Sequence, residues 1–389
     1  MRDVEYYLRW YHEKPLQIMS ARRAELSRVH ALLYRCIVLM AEHWHEFIPG
    51  VITLSDKAIE ILDYQSKFPF QAGAFRPDWI VTEQGEIRLI EITSRFFGHG
   101  LWSTYNSEMA AQRFMEHFPN ERRECLYGQM WDYLAARVPE GKRICVLKSA
   151  DKTAEIERYK AFYEARGHQV TIYEAEEVEA ARDDWHKAFL FSALNQTDLL
   201  SYEMDTLRAM VDAGIVNDLR TILLIHDKRF FALLFDDAFT SRCLSPEETE
   251  FLRAHTMKTH LCASDGDALE AARANRENWI LKPCNLGKSV GLHAGCMTPE
   301  DEWQRLLDDA AGKDMILQPM ARQRIFPTVW EGTPYDDYIC GMMLCMDSEY
   351  YGSGLIRCSS APVTNKTDDR KMAVIESDSE TLMPYTNLL

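Results

Sequence analysis

The spacing of apolar positions changes along this chain, and each change marks a segment. From residue 6 to about 44 apolar residues recur every three or four positions (Leu26, Val29, Leu32, Leu33, Cys36, Leu39), which predicts a helical brace. Ser55 is placed to cap a further helix to residue 62. Two apolar-rich runs then flank Gln84-Gly85, predicting a β-hairpin over residues 75–95. Helical spacing returns after the turn at 95–100 and lasts to about 136. Between 142 and 227 strands (144–147, 169–173, 188–192, 221–225) alternate with helices (153–164, 199–213), the signature of a small parallel α/β layer. Asp227-Lys228 opens a helical stretch with Phe230, Leu233 and Leu234. Strands flanking a Gly/Ser loop follow at 279–295, then a helix at 299–311 and a short strand at 315–320. The chain closes on β-rich runs at 335–346, 350–358 and 372–375.

At 389 residues the chain exceeds the size at which a single core keeps growing, so two or three subdomains around a cleft are expected. The pattern divides it at 1–70, 71–140, 141–227 and 228–389, and the fold class is α/β with α+β subdomains. The formal charge of −16 argues against a nucleic-acid or anionic-membrane partner, though a local basic pocket for phosphates stays compatible with it. Ten cysteines are scattered without a C-x-x-C or a Cys/His cluster, suggesting neither a zinc site nor a disulfide framework. With no apolar leader after Met1 and no membrane-length apolar run, a cytoplasmic setting is expected.

The hairpin carries the first candidate chemistry. With a two-residue loop at Gln84-Gly85, Asp78 lies opposite Glu91, and period two puts Thr93 on the Glu91 face. Facing carboxylates repel unless a cation lies between them, and two acids with a hydroxyl suit Mg²⁺, which takes its other ligands from water and phosphate. The same spacing also suits a solvated hairpin whose outer face carries acids. His43 and His45, two apart on a helix, face different directions and suit core or surface rather than a shared ligand. His99, in the Gly-containing turn, is a candidate for substrate contact, although a lone histidine beside aromatics is more often packed.

The second candidate segment runs from Trp279 to Gly295. Lys282 ends a strand, and Gly287, Lys288 and Ser289 occupy the following loop. A P-loop reading fails there, because Lys282 stands where the first glycine belongs and a strand rather than a helix follows. A hairpin loop over phosphates uses backbone N–H groups and a lysine charge instead, while an ordinary polar turn has the same composition. Gln318 offers the donor and acceptor that an adenine edge demands, or serves as a buried partner of the backbone. Arg357, beside Ser359 and Ser360, is a candidate clamp for phosphate or carboxylate. No G-x-G-x-x-G follows the first strand of the α/β layer, so no dinucleotide site is supported.

Taken in order, these segments resemble the ATP-grasp superfamily of carboxylate–amine ligases. Its members usually run from nucleotide-binding lysines, through a small-residue loop and an adenine hinge, to acidic metal ligands. Here Arg76-x-Asp78 and Glu91-x-Thr93 come first, so the chain resembles a circularly permuted member similar to the synthetase domain of glutathionylspermidine synthase. The resemblance implies ATP and Mg²⁺, with Asp78, Glu91 and Thr93 at the metal and Arg76 on the transferring phosphoryl group. Thr93 departs from the family's asparagine, which puts a second Mg²⁺ in question. Lys228 and Lys282 match the nucleotide lysines, residues 285–291 the lid and Gln318 the hinge; by charge and position, apart from the resemblance, Arg357 or Arg95 would hold the acceptor carboxylate or the tetrahedral oxyanion. The implied reaction joins a carboxylic acid to an amine through an acyl phosphate, on small-molecule substrates such as an amino acid or peptide, or on a carrier-protein-bound acceptor. A small-molecule phosphotransferase and a non-catalytic nucleotide-binding protein are the alternatives.

Overall fold

In the computed structural model, which describes residues 4–98, 100–150, 154–287, 289–364, 368 and 370–389, the acid-bearing hairpin does not stand alone. Its strands, Ala74–Val81 and Ile87–Thr93, form one edge of a six-stranded antiparallel sheet. The other members come from the end of the chain: Phe326–Trp330, Thr333–Met346, Glu349–Ser359 and Arg370–Met372. Thr333–Met346 pairs directly with Ala74–Val81, setting Met342 opposite Asp78. Ala74–Val81 is therefore central and buried on both faces. Phe75, Trp79 and Val81 point into the main apolar core with Leu26 and Leu33 of the helix Ser20–Glu42, while Asp78 and Ile80 face a cavity.

Asp78 does pair with Glu91, but by a different route from the one predicted. The connection is one residue longer than a two-residue loop: Val81 pairs with Ile87, the Thr82 N–H donates to the Glu86 carbonyl at 2.9 Å, and Gly85 takes φ 82°. The ladder then shifts between Asp78 and Trp79, whose partners are Glu91 and Leu89, so Ile90 is the extra residue of a β-bulge. The longer turn and the bulge each displace the register by one residue, and they cancel.

Gly341 shows how tightly Trp79 is held. The two are cross-strand partners, Trp79 is fully buried, and a Cβ on Gly341 would lie 2.2 Å from the indole. Gly341→Ala is expected to destabilise the fold by about 2 kcal/mol or more, read as a lower denaturant midpoint at unchanged slope, because the indole has nowhere to shift.

The predicted brace at 6–44 is interrupted. After the short helix Val4–Leu8, Pro15 precedes a strand, Leu16–Ile18, held in parallel between Val374–Glu376 and Asn387–Leu388. Only then does the helix Ser20–Glu42 begin. Ser55 caps Asp56–Gln65 by accepting from the Ala58 N–H at 3.2 Å. His43 and His45 lie at the surface, paired with Glu46 and Asp63.

The α/β layer has Ile144–Lys148 at its centre, flanked in parallel by Val170–Glu174 and Phe189–Ala193. The strand expected at 221–225 is instead a π-helical turn, Thr221–Ile225. Five consecutive buried side chains suit either state, and the neighbouring place on the sheet is already taken by a single bridge from Val216 to Phe191. The helix expected at 199–213 is broken at extended Tyr202 into Gln196–Ser201 and Met204–Asp212. A fourth sheet, from His260–Leu261, Met315–Pro319, Trp279–Pro283 and His293–Ala294, completes a mixed α/β architecture. Among the described residues no helix is long and apolar enough to cross a membrane.

All ten cysteines are free. The sequence indicated no Cys/His cluster, yet folding groups Cys358 with His12 and Asp337. His12 and Arg370 already bind the Asp337 carboxylate, so this group is an ion-paired core rather than a metal site.

Candidate functional site

The antiparallel edge of the large sheet meets the small sheet that carries Lys282, and a cavity opens between them. Asp78, Glu91, Lys228, Lys282, Ser289, Gln318 and Arg357 all line it. These seven come from segments as far apart as residues 78 and 357, and the fold assembles them on one surface. Arg76 and Thr93 are not among the lining residues. Gly287 lies beside the cavity with its Cα close to Arg95: a Cβ there would come within 3.2 Å of the guanidinium. Lys288 and His99 fall outside the described residues.

Arg76, expected at the transferring phosphoryl group, lies behind Asp78 and outside the cavity lining. Its Nε and Nη2 donate to the two Asp78 carboxylate oxygens at 2.7 and 2.8 Å, and Nη2 also reaches the Thr93 hydroxyl at 3.3 Å. All three side chains are buried. Arg76 thus orients Asp78 from behind, and Thr93 completes that arrangement instead of offering its oxygen to the cavity.

Lys282 is held from two sides. Its Nζ donates to Gln318 Oε1 at 2.7 Å and to the carbonyl of the bulged Ile90 at 3.4 Å. The Gln318 amide donates in turn to the Thr259 hydroxyl at 2.9 Å. Gln318 thus positions Lys282 while lining the cavity, with one Oε1 lone pair and one Nε2 hydrogen beyond these bonds. Lys228 donates to the Leu286 carbonyl at 2.6 Å and lies 3.6 Å from Glu91, linking the 284–292 loop to the acid hairpin.

The electrostatics follow from burial and these neighbours. Burial raises the Glu91 carboxyl, but Lys228, Lys282 and Arg76 outweigh it and bring it down to about 2. Burial lifts the Asp78 carboxyl above its usual range against the pull of Arg76 and Arg357. Lys282 is lowered to about 8, chiefly by burial and further by Lys228, with Glu91 opposing. Burial brings His226, behind Glu91, to about 3, so its ring is neutral at pH 7. Four cationic side chains (Arg76, Lys228, Lys282, Arg357) thus surround two carboxylates inside a chain of net charge −16, an arrangement that favours a polyanionic ligand.

Each Asp78 oxygen takes one hydrogen bond from Arg76 and keeps a second lone pair, and Asp78 faces Glu91 across paired strands at the cavity wall. This two-carboxylate donor set fits a hydrated Mg²⁺ that shares phosphate ligands.

Lys282 gives the site a pH signature. Its charge in the free protein is lost as pH rises through about 8, whereas a bound polyanion favours the protonated form. Affinity for tripolyphosphate is therefore expected to fall above that pH, by up to about tenfold per pH unit. A titration series in Lys282→Gln should lack this decline.

Several participants carried no signal in the sequence. The Ile90 carbonyl faces Lys282 only because of the bulge, and Thr259, Cys340 and Gln323 arrive from segments without a motif.

No curated protein matches this chain in sequence. Among solved structures, one described as a "Putative gamma-glutamylcysteine synthetase" from Methylobacillus flagellatus KT is similar at a TM-score of 0.39 and 9% identity, covering 88% of this chain and 84% of that one. The family described as AnkG N-terminal domain matches residues 29–224. That match runs from within the helix Ser20–Glu42, through the acid hairpin and the α/β layer, and ends just before Lys228. It spans half of the chain, which therefore belongs to the AnkG N-terminal domain family.

Proposed function

We propose that this protein is an ATP-dependent carboxylate–amine ligase with a circularly permuted ATP-grasp arrangement. Segments 71–140 and 228–389 form its catalytic core, and 1–70 and 141–227 support that core or bind the second substrate. The observation that carries the reading is the cavity itself: two facing carboxylates, two buried lysines from separate segments, Arg357, and a loop tied to the floor through Lys228.

A carboxylate is a poor acyl donor because oxide would have to leave. In the proposed reaction its oxygen attacks the γ-phosphorus of ATP, the bond to the bridging oxygen breaks, and ADP departs, leaving an acyl phosphate. The amine nitrogen then attacks the acyl carbon, phosphate leaves with the C–O electron pair, and the nitrogen loses a proton to give the amide. Lys228, Lys282 and Arg357 counter the charge that accumulates on phosphate oxygens during the first step. Asp78 and Glu91 would hold Mg²⁺, which supplies further charge neutralisation when bound. Leu286 and Val290, exposed on the 284–292 loop, provide apolar surface that can close over the acyl phosphate and keep water from hydrolysing it. The substrates proposed are a small carboxylic acid and an amine, an amino acid or peptide in the first instance or a carrier-bound acceptor.

The test combines ATP, Mg²⁺ and pooled amino acids with measurement of ADP and phosphate, and with mass spectrometry of products. Acid-dependent ADP release with a new amide supports the ligase. ADP with a stable phosphoester selects a phosphotransferase, and nucleotide binding without turnover across broad acid and amine pools selects a binding protein.

A further inference from the structure

Two of the ten free cysteines meet across a long-range contact. Cys36 lies on the helix Ser20–Glu42, and Cys243 lies between the short helix Asp237–Thr240 and the helix Pro246–Ala254. Although 207 positions apart in sequence, they bring their Sγ atoms to 3.7 Å. That is thiol–thiol contact, about 1.7 Å longer than a disulfide bond. Cys36 is fully buried and Cys243 half-buried, so one sulfur is open to a small reagent and the other waits behind it.

The surroundings hold this contact together and make the two thiols unequal. Cys36 is fixed in the main apolar core by its helix. Arg35, its neighbour, donates through Nη2 to the Cys243 carbonyl and through Nη1 to Glu248 Oε1 at 2.7 Å, so one guanidinium ties the two elements beside the sulfurs. The Cys243 N–H donates to the Thr240 carbonyl at 3.1 Å, which fixes the turn. The hydrogen bond from Cys36, and then the Arg35 charge, bring the Cys243 thiol below its usual value against the effect of burial, whereas the same hydrogen bond and burial push Cys36 up. Cys243 is thus both the more accessible and the more readily ionised sulfur, the attributes of an attacking thiol.

We infer that Cys36 and Cys243 form a reversible oxidation site that reacts with hydroperoxides and closes to a disulfide. The Cys243 thiolate attacks one peroxide oxygen: an S–O bond forms, the O–O bond breaks, and the departing oxygen takes up a proton to leave as alcohol or water, giving a sulfenic acid. The Cys36 sulfur then attacks Cys243 Sγ. The S–S bond forms, the S–O bond breaks, and hydroxide leaves with the Cys36 proton as water. Two electrons pass from the pair of thiols to the peroxide, and an external thiol returns them by exchange. The new bond staples the helix Ser20–Glu42, which packs against the acid hairpin, to the segment that follows Lys228. The inference stands on the contact between the thiols and is independent of the nucleotide reading of the cavity.

The experiment treats the reduced full chain with hydrogen peroxide at neutral pH, alkylates the remaining thiols at intervals and maps the peptides by mass spectrometry, with melting temperatures to establish folding. A peptide joining Cys36 to Cys243 is expected, lost again on dithiothreitol. It should form about tenfold or more faster than the exposed Cys125 and Cys296 are oxidised, since exposure alone does not supply an activated thiol with a resolving partner. In Cys36→Ser the second step is removed, so Cys243 should be trapped as its sulfenic acid by dimedone. In Cys243→Ser the attacking sulfur is removed, and Cys36 should stay reduced over the same interval. Oxidation of Cys125 or Cys296 while Cys36 and Cys243 remain open to alkylation after denaturation overturns the proposal, as does a cross-link from Cys243 to any other cysteine. A folded Cys36→Ser with no dimedone adduct on Cys243 overturns it too. If Cys36→Ser does not fold, the identity and relative rate of the cross-link in the parent decide alone.

Discussion

Glu91→Gln is expected to lower ATP-dependent turnover by about a hundredfold or more, the scale seen when one preorganised electrostatic group is removed from a phosphoryl or acyl transfer site. The substitution keeps the shape of the side chain and deletes its charge. That charge is present throughout the neutral range, since Lys228 and Lys282 help bring the Glu91 carboxyl down to about 2. Two consequences follow. The proposed cation site would lose one of its two carboxylates, so the Mg²⁺ concentration for half-maximal rate should rise. Lys282 also loses the neighbour that opposes its deprotonation, so the alkaline limb of the nucleotide-binding profile should move to lower pH. A coupled ADP assay across Mg²⁺ concentration and pH reads both. Thr93→Val supplies the contrast: Thr93 lies behind Asp78 on Arg76 and is absent from the cavity wall, so its removal should change turnover far less. Equal losses in the two variants would place the metal ligands elsewhere.

What could be read from the sequence differs between local pattern and long-range placement. The facing of Asp78 and Glu91 was legible because apolar runs about a Gln-Gly turn restrict the register, and the bulge at Ile90 restored what the longer turn had displaced. Strands 144–147, 169–173 and 188–192 appeared close to the predicted positions; the first and last are buried apolar runs, and the middle one, half-buried at the sheet edge, is marked by β-branched and aromatic residues. Leu16–Ile18 was hidden because three residues are too few to establish a period, and its partners are more than 350 positions away. The π-turn at 221–225 was hidden because a wholly buried run has no polar face to reveal its period. At the site, residue types were legible and side-chain commitments were not. Nothing local says that Gln318 serves Lys282 and Thr259, or that Arg76 turns back onto Asp78.

Asp337→Ala carries the largest expected effect on stability, about 3–5 kcal/mol, because it removes the shared anion of a buried ionic group. Asp337 is fully buried and accepts from His12 Nε2 at 3.0 Å, Arg370 Nη2 at 2.6 Å, Thr328 at 3.1 Å and Ser360 at 3.3 Å. The other His12 ring nitrogen faces the Val329 carbonyl at 3.0 Å, so both ring nitrogens lie beside oxygen atoms. Alanine would leave buried Arg370 with only Asp368 as a counter-charge, at 3.1 Å, and would take the shared acceptor from His12 Nε2, Thr328 and Ser360. The group also joins the segment before Leu16–Ile18 to the C-terminal strands, so amide exchange near residues 11–18 should quicken beyond the global loss. Its pH dependence has a definite sign. Burial raises the Asp337 carboxyl, but His12 and Arg370 outweigh this and hold it at about 2, below its unfolded value. The contribution is therefore complete above about pH 4 and is lost as pH falls through about 2. Urea midpoints measured from neutral pH into acid should fall more steeply for the parent than for Asp337→Asn, which has no carboxylate to protonate. Parallel acid limbs in the two proteins would show that other carboxylates govern acid unfolding and that this group is not the tie between the two ends of the chain.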